Sequence, residues 1–153
     1  MSWADSERDR QLQNLIRVGT VAEVNPATGR ARVDFGAARS AWIQFAAHRA
    51  GGVNMFSPPS VGEQVIVASP GGDTAQGVII GSLPSTGNPA AGSAADSWVI
   101  TIGAVTVTIT DGQVAISGGD VIVTGGDVIA DGISLKQHTH AHGDPAGTTA
   151  PPS

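Results

Sequence analysis

The chain has 153 residues, 8 basic and 13 acidic, with a formal net charge of −5 and only 14% charged residues. That is sparse against the ~25% of an ordinary soluble domain, while glycine, at 21 residues, reaches about twice its usual share. There is no cysteine, which excludes disulfides and thiolate metal sites; no apolar run approaches the ~20 residues of a membrane helix, and the charged opening stretch lacks the apolar centre of a secretory signal.

Residues 5–16, "DSERDRQLQNLI", read as a short helix. Asp5 or Ser6 can cap it, acids fill its first turn, and Leu12, Leu15 and Ile16 form an apolar stripe. A helix of this length is marginal alone and needs a surface to dock on. It belongs to an N-terminal arm over residues 1–16. Residues 17–84 then read as short strands joined by turns. "IRVGTVAEV", "NPATGR" and "ARVDFG" make a hairpin around an Asn-Pro and Gly turn. "SAWIQFAAH" is a third strand, and "RAGGVNMFSPPSVG" a loop full of breakers. "QVIVA" and "GVIIG" form a second hairpin around Ser-Pro-Gly-Gly-Asp. Five strands in a stretch this short fit a small closed barrel such as the OB-fold. Residues 85–97, opening "STGNPAAGSAAD", have the small-residue composition of a linker.

From Trp98 to residue 137 the texture is Val, Ile and Thr punctuated by Gly-Asp. Val105, Val107 and Ile109 alternate with Thr106, Thr108 and Thr110, the period of a strand. Gly118-Gly119-Asp120-Val121-Ile122 recurs seven residues later as Gly125-Gly126-Asp127-Val128-Ile129. Asp111, Asp120, Asp127 and Asp131 adjoin glycines, which assigns them to turns rather than to Ca²⁺. With no helix or aromatic layer to cover it, this stretch makes a poor core in one chain. Pairing with copies of itself, as an intertwined three-chain β-prism, buries the Val/Ile face and leaves few free edges. The simpler alternative is that these strands extend the first domain's sheet.

Charge and aromatic side chains divide along the same boundary. Seven of the eight bases are arginines at position 49 or earlier, and Lys136 is the only base after them. Trp3, Phe35, Trp42, Phe45 and Phe56 come early, and only Trp98 follows.

Residues 138–153 form the last region, "HTHAHGDPAGTTAPPS", with His138, His140 and His142 in alternating positions. In an extended segment, residues two apart share a face, so His138 and His140 point together. Imidazole is a common metal ligand at neutral pH. Two imidazoles make a weak site, but three chains about an axis bring six together, which suits octahedral binding of a first-row ion such as Fe(II). Unbroken alternation from Ile133 and Leu135 would aim the histidines away from the apolar face. A phase change near Lys136-Gln137 is needed to bring them inward. A histidine tag or metal-scavenging tail is the plainer reading, against which stand the alternation and the "GDPAG" turn. His48 sits alone and reads as an ordinary surface or turn residue.

The order of these features resembles the central spike of contractile-tailed phages and related injection machines, the baseplate assembly protein V family. The resemblance rests on "RVGTVAEVNPATGRARVDFG", "WIQF", "PPSVGEQVIV", "GVIIGSL", the Gly-Asp β-run, "GISLKQHTH" and "GDPAG". It implies an all-β homotrimer, with an OB-fold barrel followed by an intertwined β-helix or β-prism and a metal-stapled apex. The barrel end joins the hub of the tail tube. At the apex one iron ion per trimer, or another first-row metal, is held by a His-x-His pair from each chain. The matching positions are His138 and His140; His142 departs from the pattern and leaves a 140/142 pair as the alternative. The resemblance also implies a virion component at the baseplate tip, made in the host cytoplasm. It meets the host outer membrane on piercing and has no enzymatic role, nucleic-acid partner or small-molecule substrate.

Two other functions fit parts of the chain. An OB-fold binder of single-stranded nucleic acid needs a basic groove with stacking aromatics, and this chain is acidic with no tyrosine. A metal hydrolase needs an open coordination position, a general base and a pocket; the nearby carboxylates are Asp131 and Asp144, in a segment too thin to enclose a substrate. Arg8, Arg10, Arg17, Arg30, Arg32, Arg39 and Arg49 are candidate hub contacts or ordinary solvated surface, so the hub-binding residues stay unassigned.

Overall fold

Alternation of branched apolar and polar residues builds five strands in the first part of the chain: β1 (Ile16–Asn25), β2 (Arg30–Asp34), β3 (Ile43–Phe45), β4 (Gln64–Ala68) and β5 (Val78–Leu83). The structure, a computed structural model, describes residues 3–139. It divides into two units after Ala90. In the first unit the five strands close in the order β1-β2-β3-β5-β4 and back to β1. Every pairing is antiparallel except β3 with β5. This is the OB-fold order, in which one parallel pair completes a Greek-key barrel.

The barrel is filled by inward residues of each strand: Val21, Ala31, Val33, Ile43, Val65, Val67 and Ile79, all buried. In β2 and β4 the buried residues alternate with half-exposed ones, as period two requires. Gly19, in the middle of β1, is needed for close approach. A Cβ there would lie 2.5 Å from Val33 Cγ1 and 2.6 Å from the Asp34 carbonyl. The register of β1 on β2 shifts between Val21 and Glu23, a bulge that bends the strand round the barrel. The β1–β2 turn is held by Asn25, whose Oδ1 accepts from the Thr28 amide at 3.3 Å, and by Gly29 in the left-handed region.

The helix differs from its expected limits. α1 spans Trp3–Asn14, so Asp5 and Ser6 lie inside it, and Ile16 opens β1 opposite Ala68. Leu12 and Ile16 are exposed and do not form the expected stripe. The chain leaves the helix early because the barrel claims it: the Ser69 amide donates to the Leu15 carbonyl at 2.8 Å. α1 does dock, since a Cβ on Gly72 would overlap the Gln11 backbone. The third strand is shorter than expected, three residues within 40–48.

On the barrel surface Arg39 binds Asp34 (Nε to Oδ1, 2.6 Å; Nη2 to Oδ2, 3.0 Å) and Glu23 (3.1 Å), and Arg32 joins Glu23 at 3.2 Å. The Arg39 hydrogen bond, with charge attraction added, holds the Asp34 carboxyl below its ordinary value. A depressed carboxylate contributes stability above its unfolded pKa of ~3.9, and that contribution is lost as pH falls through the folded value. The barrel's melting temperature is therefore expected to drop on acidification below about pH 4, less steeply in Asp34→Asn. Melting curves of the two proteins across pH 2–6 check this; superimposable acid limbs would refute it.

The second unit carries two further sheets, separate from the barrel. The alternative in which the later strands extend the first sheet is therefore ruled out. β6 (Trp98–Ile102), β7 (Val105–Thr110) and β8 (Gln113–Ser117) form an antiparallel meander. Directly opposed residues share a face. The register therefore gathers Trp98, Ile100, Ile102, Val105, Val107, Ile109, Val114 and Ile116 on one side, with Thr101, Thr106, Thr108, Thr110, Gln113 and Ser117 on the other. None of the eight apolar residues is buried within the chain, and Ile102 is 76% exposed.

Between Ser117 and Ile129 the backbone is irregular. Gly118, Gly125 and Gly132 recur every seven residues, with φ of 77°, 73° and 84°. The repeat seen in sequence therefore has a third member, whose side chains differ. β9 (Ile129–Ala130) and β10 (Ile133–Ser134) pair across Asp131-Gly132. Asp131 at φ 49° and Gly132 at φ 84° supply the two positive values that a type I′ hairpin turn demands.

Candidate functional site

The histidine region begins where β10 ends. Leu135, Lys136 and Gln137 form a turn. The His138 amide donates to the Ser134 carbonyl at 2.9 Å. His138 therefore follows a turn and belongs to no strand, and the period-two argument does not apply to it. His140 and His142 lie outside the described residues, as does the Gly-Asp-Pro turn with Asp144.

The His138 ring is half-buried, with Nδ1 3.1 Å from the Ser134 carbonyl and 3.0 Å from the Leu135 carbonyl. Carbonyl oxygens only accept, so they select the tautomer with its proton on Nδ1 and its lone pair on Nε2. This is the form in which an imidazole ligates a metal through Nε2 while its other nitrogen is anchored by backbone. The donor chemistry at position 138 thus fits a metal ligand. Among the described residues, no three His, Asp or Glu side chains come close enough to hold an ion.

The turn that presents His138 is tied together by Asp127. Its Oδ1 accepts from the amides of Val128 (2.8 Å) and Lys136 (3.1 Å), and its Oδ2 accepts from the Ser134 hydroxyl. Ser134 Oγ in turn accepts from the Gln137 amide at 2.9 Å. The Ser134 hydrogen bond, followed by those from the Lys136 and Val128 amides, lowers the Asp127 pKa. The expected turn role of this aspartate was legible; its reach across nine residues to Lys136 was not. Two apolar grooves flank the turn. One of about 480 Å³ is lined by Val121, Val123, Val128 and Leu135, and one of about 240 Å³ by Val128, Ala130, Ile133 and His138.

Most of the arginines are engaged within the barrel unit. Arg10 pairs with Glu7 at 2.6 Å, Arg30 donates to the Trp42 carbonyl at 3.0 Å, and Arg17 lies 4.2 Å over the Phe35 ring. With Arg32 and Arg39 in the Glu23–Asp34 network, these side chains and Phe35 are already committed to structure. His48 is exposed in a bend.

Barrel order and parallel closure define an OB-fold, followed in the chain by a glycine-punctuated β-run. Residues 17–83 match the family model of type VI secretion system and phage-baseplate injector OB domains. The chain is also similar to the spike protein of Escherichia phage P2, 36% identical over 91 residues. The match covers 60% of this chain and 43% of that protein, so the chain spans less than half the length of its relative.

Proposed function

We propose that this protein is the central spike at the tip of a contractile tail tube, a non-catalytic homotrimer that pierces the host outer envelope when the sheath contracts. The observation that carries this reading is the apolar face from Trp98 to Ile116, left uncovered in a single chain that also carries an injector-type barrel. Burying a large apolar side chain contributes about 1.5–3 kcal/mol, so covering eight of them is worth on the order of 10 kcal/mol per chain. A second and third copy supply that cover symmetrically, whereas a small ligand does not match an open sheet. The barrel end would seat on the tail-tube hub, and the second unit would lead toward the envelope.

At the apex, His138 and His140 of three chains would hold one iron ion, with His142 as the substitute partner of His140. The ion supplies a crosslink among three chain ends that have no cysteine to join them. His138 contributes an imidazole whose tautomer is set by its own backbone, so little ordering is left for the moment of binding. Force delivered along such a point tends to splay the chains, and both the shared apolar face and the crosslink resist that. His140→Ala is expected to remain a trimer by sedimentation while losing bound metal by elemental analysis. A purified wild-type trimer without metal would overturn the apex assignment. A monomeric wild type would overturn the spike itself.

A further inference from the structure

We propose that Asp127 is the positioning residue of the His138 ligand, acting through Ser134. The proposal rests on the reading of His138 as a metal ligand and asks how that ring is aimed. Ser134 stands between the two groups. Its hydroxyl donates to Asp127 Oδ2, and its carbonyl accepts from both the His138 amide and Nδ1. The carboxylate and the imidazole are thus linked through one residue. Asp127 Oδ1 also fixes the Lys136 amide, and the Leu135 amide donates to the Val128 carbonyl at 2.8 Å. These bonds set the path of residues 134–136, and with it the positions of the two carbonyls that face Nδ1.

The seven-residue repeat explains why the device sits here. Positions 120, 127 and 134 are equivalent and hold Asp, Asp and Ser. An aspartate at 134 would repel Asp127. Serine instead offers a hydroxyl donor, so the last repeat closes onto the one before it. The Asp127 carboxylate is half-buried, and its three bonds all run to residues 128–136.

The test uses the full-length protein. In metal-free wild type, ¹⁵N NMR of the His138 ring (assigned with His138→Gln) is expected to report the Nδ1–H tautomer. Asp127→Ala and Ser134→Ala should give mixed tautomers and bind Fe(II) about 10–100-fold more weakly, as trimers. Asp127→Asn, which keeps one acceptor oxygen, should fall between. Lower melting temperature in Asp127→Ala with tautomer and Fe(II) affinity unchanged would reduce Asp127 to a structural staple and overturn the proposal. A wild-type trimer that takes up no Fe(II) would instead overturn the ligand reading. In that case the tautomer of the metal-free variants still decides whether Asp127 orients the ring.

Discussion

Val107→Asp is expected to convert the proposed trimer to single chains, read as a threefold fall in mass by sedimentation equilibrium. Val107 sits at the centre of the apolar sheet face, opposite Ile100 on one side and Ile116 on the other. In the proposed assembly a carboxylate there has no partner and no water. An isolated buried charge costs far more than any one side chain's burial returns, and the group escapes by exposing the face. The barrel is expected to stay folded, because its buried core contains no residue beyond Ile79. Thr108→Asp is the control. Its neighbours across the sheet are Val99 and Ala115, on the other face, and it should leave the trimer intact. If Val107→Asp is still trimeric, the face is not the shared one.

Ile43→Ala is expected to destabilise the barrel by about 3 kcal/mol. Ile43 is only 2% exposed and is the largest fully buried side chain. β3 is only three residues long, yet it joins β2 to β5 and so closes the barrel. A cavity at this seam leaves the parallel pair, Gln44 with Val78 and Phe45 with Ile79, with little else to hold it. For a domain of this size the loss corresponds to a melting shift of roughly 12–24 °C. Denaturant unfolding followed by Trp42 fluorescence, with Val18→Ala as an exposed control, measures it; a shift no larger than the control's would show that β3 is not the closing strand.

The barrel strands were legible because each carries a period-two pattern between turn residues whose conformations leave little choice. Asn25-Pro26 and Gly29 at the first hairpin are the plainest instance. The helix was displaced because its last apolar residues serve two claims. Leu15 and Ile16 suit a helical stripe, but the backbone at Leu15 is taken by Ser69 and Ile16 by Ala68. Such long-range capture leaves no trace in local spacing. The apolar face of the second unit was legible in β7, where valine and isoleucine alternate with threonine. The conflict of phase between Leu135 and His138 was visible in the sequence. The Asp127–Ser134 bond beside the turn was not, since only the fold brings those repeat positions together.

The positive-φ glycines at 118, 125 and 132 also bear on how such a chain can change length. In a threefold assembly every copy must present the same face at the same height, so an insertion in one copy is an insertion in all three. Seven added residues bring the chain to the next equivalent glycine turn. Six or eight would place the next glycine out of step with the turn in all copies at once. In the proposed trimer, changes of length in this region are therefore expected in steps of seven.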